Sequence, residues 1–165
     1  MPKYDAKSAR CRVFTFKEGL LSAVAHDLEI DVSRFTVDLA DDGATVTATF
    51  DARSLKVLHA MVDGHPSSST LSDRDKQKIE DNIVSDVLAA KKHGEIVFTS
   101  TEVTDDVVRG RLTMAGRTHE VRAQRNGDRV TATLHQPDWG IKPFSAMLGA
   151  LKIKPDVKVE LTLTR

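Results

Sequence analysis

The stretch VVRGRLTMAGRTHEV, residues 107–121, alternates apolar and polar side chains on either side of a short glycine-containing segment. Leu112 and Met114 alternate with Arg111 and Thr113 before the segment Ala115-Gly116-Arg117. Period-two alternation is typical of a strand with one apolar and one solvated face, and a glycine between two such runs indicates a tight turn. The stretch therefore predicts two antiparallel strands joined as a hairpin.

The same alternation recurs along most of the chain. The other clear runs are residues 28–32, 35–39, 46–50, 130–134 and 157–163. The connections contain turn residues, of which the strongest are Asp41-Asp42-Gly43 and Asn126-Gly127-Asp128. So many one-sided strands must bury their apolar faces together, which predicts a mainly β fold, either a sandwich or a closed barrel.

One segment has helical spacing instead. Ile79, Ile83 and Val87 recur at intervals of four, and Ser72 precedes them as a suitable N-cap. Basic residues at 91–93 and Gly94 are typical of a helix end, so we predict one main helix over about 73–92. A short helical segment is also predicted near 19–25.

Length and composition indicate one soluble domain. The chain has 165 residues and equal numbers of basic and acidic residues, 24 of each, so no basic excess indicates a nucleic-acid partner. We predict a single domain over 1–165, with an ordered core over about 8–164. The N-terminal residues lack an apolar h-region and no segment is long enough to insert into a membrane, so we predict a cytoplasmic location.

Residues that could carry chemistry are scattered. The six histidines show no metal-ligand spacing, Cys11 is the single cysteine, and no serine lies in a nucleophile motif. We therefore predict no metal, no cofactor and no enzymatic activity. His26 is either a hydrogen-bonding group at the end of a cavity or a structural residue. Because Asp27 is adjacent, a strand would point the two side chains to opposite faces, which argues against a catalytic dyad.

Two uncharged segments interrupt the alternation, GLLSAVA at 19–25 and FSAMLGAL at 144–151. Neither is long enough to span a membrane, which takes about 20 apolar residues. They either close the ends of a filled barrel or form the adaptable wall of an apolar cavity.

Several segments, taken in order, resemble the YceI-like family of polyisoprenoid-binding, lipocalin-like proteins. They are FKEGLLSAVAHDLEI at 16–30, HGEIVFTSTEV at 93–103, VVRGRLTMAGRTHEV at 107–121 and PDWGIKPFSAMLGALKIKPDVKVEL at 137–161. The resemblance covers nearly the whole chain. It implies a single antiparallel eight-stranded lipocalin-like β-barrel with a helix packed against it and an apolar tunnel inside.

The resemblance and the alternation together predict a ligand-binding set inside the barrel and at its end. The set is Phe14, Phe16, Leu21, His26, Leu28, Ile30, Phe98, Leu112, Met114, Trp139, Phe144, Met147, Leu148 and Leu151. We therefore expect a non-enzymatic carrier of an isoprenoid or another long-chain amphiphile. The resemblance also implies a possible homodimer. The alternative is a structural or stress-response module with a filled barrel that acts through protein contacts.

Overall fold

The computed structural model describes residues 3–18, 26–41, 44–143, 145–146 and 151–163. The predicted segment near 19–25 lies outside the described residues. The first strands are β1 Lys3–Asp5, β2 Ala9–Thr15, β3 Lys17–Glu18, β4 Asp27–Val32, β5 Phe35–Leu39, β6 Val46–Asp51, β7 Leu55–Val62 and β8 His65–Ser67. Helix α1, Asp73–Asn82, follows. The remaining strands are β9 Glu95–Val103, β10 Val107–Met114, β11 Arg117–Asn126, β12 Arg129–His135, β13 Ser145–Ala146, β14 Leu151–Ile153 and β15 Asp156–Leu163.

Antiparallel pairing joins most of these strands into one curled sheet. Its order is β1-β5-β6-β9-β10-β11-β12-β15-β2-β4-β7-β8. The predicted hairpin of residues 107–121 is confirmed, since β10 pairs with β11 from Val107↔Gln124 to Met114↔Arg117. The hairpins β5–β6 and β11–β12, at the predicted turns, are confirmed as well, and β9 forms a further antiparallel pair with β10. A smaller sheet, β13-β14-β3, lies beside the main one.

The number of strands differs from the prediction. Within the described residues the main sheet has twelve strands, not eight. Two interruptions account for part of the excess: Ser33 and Arg34 separate β4 from β5, and a 3-10 turn at Ala52–Ser54 separates β6 from β7. The short strands β1 and β8 extend the two ends of the order. The prediction of an eight-stranded barrel was therefore wrong in its strand count.

The same interruptions explain why the sheet curls. Pair β5–β6 lies near one end of the strand order and pair β4–β7 near the other, yet both belong to one continuous double strand. Backbone hydrogen bonds continue across the break, from Ser33 N–H to the Ser54 carbonyl and from Asp51 N–H to the Arg34 carbonyl, both 3.0 Å. Because one double strand reaches both ends of the order, the sheet must curve around an interior.

Helix α1 begins where the sequence predicts. Ser72 is its N-cap, and Ser72 and Asp75 exchange two hydrogen bonds of 3.1 Å in a capping box. The helix continues as a wider π turn over Ile83–Val87 and ends there, before the predicted residue 92. Ala89, rather than Gly94, takes a left-handed conformation, with φ of 47°. Among the described residues, no helix combines the length and apolar character needed to cross a bilayer.

Candidate functional site

The curled sheet and α1 enclose an apolar cavity of about 440 Å3. Ten strands of the main sheet contribute to its wall, and α1 with the following turn contributes Ile79, Asn82, Ile83 and Val87. The strand residues are mostly aliphatic, because the inward-facing positions of each alternating run converge on the interior. They include Val13, Val37, Ala48, Val121, Ala132, Val157, Val159 and Leu161.

Six of the predicted ligand-binding residues line this cavity. They are His26, Leu28, Ile30, Phe98, Leu112 and Met114. Phe98 pairs with Leu112 on β10 and has room because the diagonal neighbour is a glycine: a Cβ on Gly110 would lie 2.5 Å from the ring of Phe98. The cavity therefore brings together the central part of the predicted set.

The other eight predicted residues are not among the described residues of the lining. Phe14, Phe16 and Trp139 are outside the cavity lining. Leu21, Phe144, Met147 and Leu148 fall outside the described residues, and for Leu151 only the position of its backbone in β14 is described. A ligand contact by any of these residues stays a prediction.

Phe14 lies outside the lining because the inward phase of β2 is the opposite one. Cys11, Val13 and Thr15 face the cavity, which turns Arg12 and Phe14 to the outer face. On that face the Arg12 guanidinium lies 2.5 Å from Asp31 and 3.4 Å from Glu29, and Glu29 also accepts a hydrogen bond from His59 at 2.8 Å. Phe14 thus belongs to a charged outer surface.

Trp139 is buried beside the cavity. It ends the 3-10 helix Gln136–Trp139, is 2% exposed, and donates from Nε1 to the Leu112 carbonyl at 2.8 Å. Its ring also meets His119 edge-on, with centroids 5.4 Å apart. Trp139 therefore holds the end of β12 against the strand that carries Leu112.

Few polar side chains interrupt the lining, and two of them, Asp51 and Gln136, have hydrogen-bond partners. Asp51 accepts from the Arg53 backbone N–H at 2.9 Å, and Gln136 donates to the Lys154 carbonyl at 3.2 Å. The Thr15 hydroxyl is different: it is buried and has no hydrogen-bond partner. Among the described residues it is the single buried side-chain oxygen in that condition. Sequence reasoning missed Thr15, which the phase of β2 would have identified.

His26 lies between the cavity and a smaller surface cleft. This cleft, of about 280 Å3, is lined by Lys17, His26, Asp27, Met61, Val62, Asp63 and Gly64. The Asp27 carboxylate accepts a hydrogen bond from the Lys17 backbone N–H at 2.7 Å. Asp27 does not share a face with His26.

Cys11 is a buried, free thiol on the cavity wall. Burial chiefly, and the negative charge of Asp31, raise its pKa from 9.0 to about 12, while Arg12 acts in the opposite direction. A thiolate is the reactive form of cysteine, so this thiol is protected from chemistry at neutral pH. Among the residues that the structure describes, no group of three or more His, Cys, Asp or Glu side chains could hold a metal ion.

The raised pKa of Cys11 predicts a specific loss of stability at alkaline pH. Below pH 9.0, its ordinary value, the thiol is protonated in both states, and between pH 9.0 and about 12 only the unfolded chain ionises. Folding then weakens by about 1.4 kcal/mol per pH unit. Urea unfolding at about pH 8 and about pH 10.5 should show the wild type losing roughly 2 kcal/mol more than Cys11→Ala. Equal losses in the two proteins would contradict the burial of an ionisable thiol.

A curled antiparallel main sheet around an apolar cavity, with helix α1 in the cavity wall, defines the class of this protein as a small internal-cavity β protein. The YceI-like domain model matches residues 4–165, and the chain belongs to this family. The comparison with curated protein sequences gave no match.

Two solved structures are similar in fold. One is a polyisoprenoid binding domain from Saccharophagus degradans implicated in plant cell wall breakdown. It is 10% identical, with a TM-score of 0.55 over 94% of this chain and 91% of that one. The other is the YceI protein of Campylobacter jejuni, 13% identical, with a TM-score of 0.47 over 82% of this chain and 85% of that one. At 10% identity, the likeness to the Saccharophagus degradans domain supports the fold alone.

Proposed function

We propose that this protein binds a long, flexible apolar molecule of isoprenoid or similar lipid type inside the curled sheet, as a carrier and not as an enzyme. The observation that carries the proposal is the cavity of about 440 Å3 with its aliphatic wall. The described side chains leave this volume open, which supports binding over the alternative of a filled structural module.

The size of the cavity sets the size of the ligand. A dry cavity of about 150 Å3 holds one benzene molecule, so about 440 Å3 corresponds to roughly three times as many carbons. This is about 15 to 20 carbon atoms, or three to four isoprene units. Pockets for small molecules commonly span about 300–1,000 Å3, so the volume is also typical of a binding site.

Burial of such a chain supplies enough free energy for useful affinity. Each buried methylene contributes about 0.8 kcal/mol, so 15 carbons contribute about 12 kcal/mol before the costs of association and ordering. Micromolar binding requires a net 8.2 kcal/mol or so. The binding domain named in the Saccharophagus degradans structure supports the isoprenoid class by analogy of fold. The predicted cytoplasmic location and homodimer stay predictions.

Organic extraction of the protein purified from its native host, followed by mass spectrometry, tests the proposal. We expect about one molecule of a long-chain isoprenoid or similar lipid per chain. A sample stripped of lipid should take up an added prenyl alcohol of 15 carbons. An extract without such a molecule, combined with no uptake by the stripped protein, would contradict the carrier function and favour a module that acts through protein contacts.

A further inference from the structure

The apolar cavity has one polar end, and Thr15 marks it. Thr15 is the last residue of β2 and pairs with Leu28 of β4, so its side chain and that of Leu28 share the inner face. Its hydroxyl is buried without a partner in a wall that is otherwise mostly apolar. A buried hydroxyl that makes no hydrogen bond is unfavourable, and such a group in a ligand site is a candidate for pairing with the ligand.

His26 lies at the same end. It comes two residues before Leu28, so it has the same phase as Leu28 and also lines the cavity. Because Thr15 pairs with Leu28, the two hydrogen-bonding side chains lie on neighbouring strands about one diagonal step apart. His26 also borders the surface cleft, so this end of the cavity is adjacent to solvent-facing polar groups.

The charges around this end disfavour an anion. The described lining of the cavity includes no lysine or arginine, and its one formally charged side chain, Asp51, is paired with the Arg34 guanidinium at 3.4 Å beyond the other end of β4. The cleft adds Asp27 and Asp63 against Lys17 alone. A phosphate or carboxylate head group would meet more carboxylates than cations, and an uncompensated charge is costly to bring out of water.

We propose that the polar end formed by Thr15 and His26 selects a ligand with a neutral hydrogen-bonding head group, a hydroxyl or a carbonyl, and discriminates against the matching anion. The inference rests on the proposed carrier function and adds the orientation of the ligand: its head group lies at Thr15 and its apolar chain extends toward Val37 and Leu161. The Thr15 hydroxyl can donate a hydrogen bond to a ligand carbonyl or accept one from a ligand hydroxyl.

Thr15→Val tests this directly because valine keeps the shape of threonine and removes the hydroxyl. Three probes with the same 15-carbon prenyl chain are compared: the alcohol, the hydrocarbon and the diphosphate. Their affinities are measured by displacement of an apolar fluorescent dye from the stripped full-length protein. The wild type should bind the alcohol at least about tenfold more tightly than the diphosphate.

Thr15→Val should separate the contribution of the ligand head group to affinity from that of the apolar chain. We expect Thr15→Val to weaken binding of the alcohol about tenfold, which corresponds to about 1.4 kcal/mol, and to leave the hydrocarbon within about twofold. Thr133→Val, an exposed threonine on the outer face of β12, serves as the matched control and should change neither affinity. The variant should fold at least as well as the wild type, because it removes an unpaired buried hydroxyl.

The outcomes distinguish this inference from the carrier function. Two results would overturn the polar-end inference and leave the carrier function standing. The first is that the wild-type protein binds the diphosphate more tightly than the alcohol. The second is that Thr15→Val weakens binding of the alcohol and of the hydrocarbon equally, or weakens neither. Wild-type protein that binds none of the three probes overturns the carrier function, and this inference falls with it.

Discussion

Ala132→Phe is expected to abolish tight binding of a 15-carbon prenyl alcohol while the protein remains folded. Ala132 lies on β12, lines the cavity and pairs with Val159 of β15, which lines it as well. Phenylalanine at this position adds a six-carbon ring to an inner wall that alanine leaves open. The ring therefore occupies space that the proposed ligand needs.

The size of the effect follows from the volume that the ring takes. A ring of benzene size fills a cavity of about 150 Å3, which is about a third of the 440 Å3 present. Displacing about six ligand carbons at about 0.8 kcal/mol each would remove up to roughly 5 kcal/mol of burial. Because the chain can shift and the wall can adjust, we expect a loss of affinity of at least about 100-fold.

Thr133→Phe is the matched control. Thr133 is the next residue on the same strand, is exposed, and pairs with Lys158 on the outer face. The same ring placed there should leave the affinity within about twofold. Thermal unfolding by circular dichroism verifies that both variants fold. Unchanged binding by folded Ala132→Phe would show that the ligand does not occupy this cavity.

Alternation predicted the elements well because it reports local geometry. In β10 the inward-facing side chains alternate with polar ones. The tight turn at Ala115-Gly116 brings β11 back antiparallel to β10, so the two strands pair with each other. The start of helix α1 could also be predicted from the sequence, because the capping box of Ser72 is a local signal. Its end was not, because the π turn and the left-handed Ala89 depend on how residues 83–90 pack against the sheet.

The count of eight strands was wrong for a different reason, because it came from the family resemblance and not from the alternation. The apolar runs at 28–32 and 35–39 were visible, but nothing local indicates whether such neighbours form one strand or two. That outcome depends on hydrogen bonds from Ser33 and Arg34 to residues at the Ala52–Ser54 turn, about 20 positions away. Tertiary pairing of this kind overrides a local pattern.

The candidate site could be predicted in part. Alternation defines two faces of a strand but does not say which face is inside when both carry apolar residues, as β2 does with Val13 and Phe14. The informative residue was Arg12: a guanidinium is rarely buried without a partner, so the face it shares with Phe14 is the outer one. Reading the phase from the charged residue would have found both Cys11 and Thr15.

Trp139→Ala is expected to lower the free energy of unfolding by about 3–5 kcal/mol, the typical cost of truncating a buried aromatic side chain. Trp139 is 2% exposed and combines apolar burial with a hydrogen bond of 2.8 Å to the Leu112 carbonyl. Trp139→Phe separates the two contributions. It keeps an aromatic ring but leaves that carbonyl without its partner, so we expect a smaller loss of about 1–3 kcal/mol.

Urea unfolding followed by far-UV circular dichroism measures both losses. Fluorescence is unsuitable because Trp139 is the only tryptophan in the sequence. Lys142→Ala, a change at an exposed residue close by, should stay within about 0.5 kcal/mol of the wild type. Because Trp139 lies outside the cavity lining, folded Trp139→Phe should also bind a prenyl alcohol with wild-type affinity. A loss of binding without a loss of stability would instead make Trp139 a ligand contact, as the sequence predicted, and would require the ligand to extend beyond the cavity toward His119.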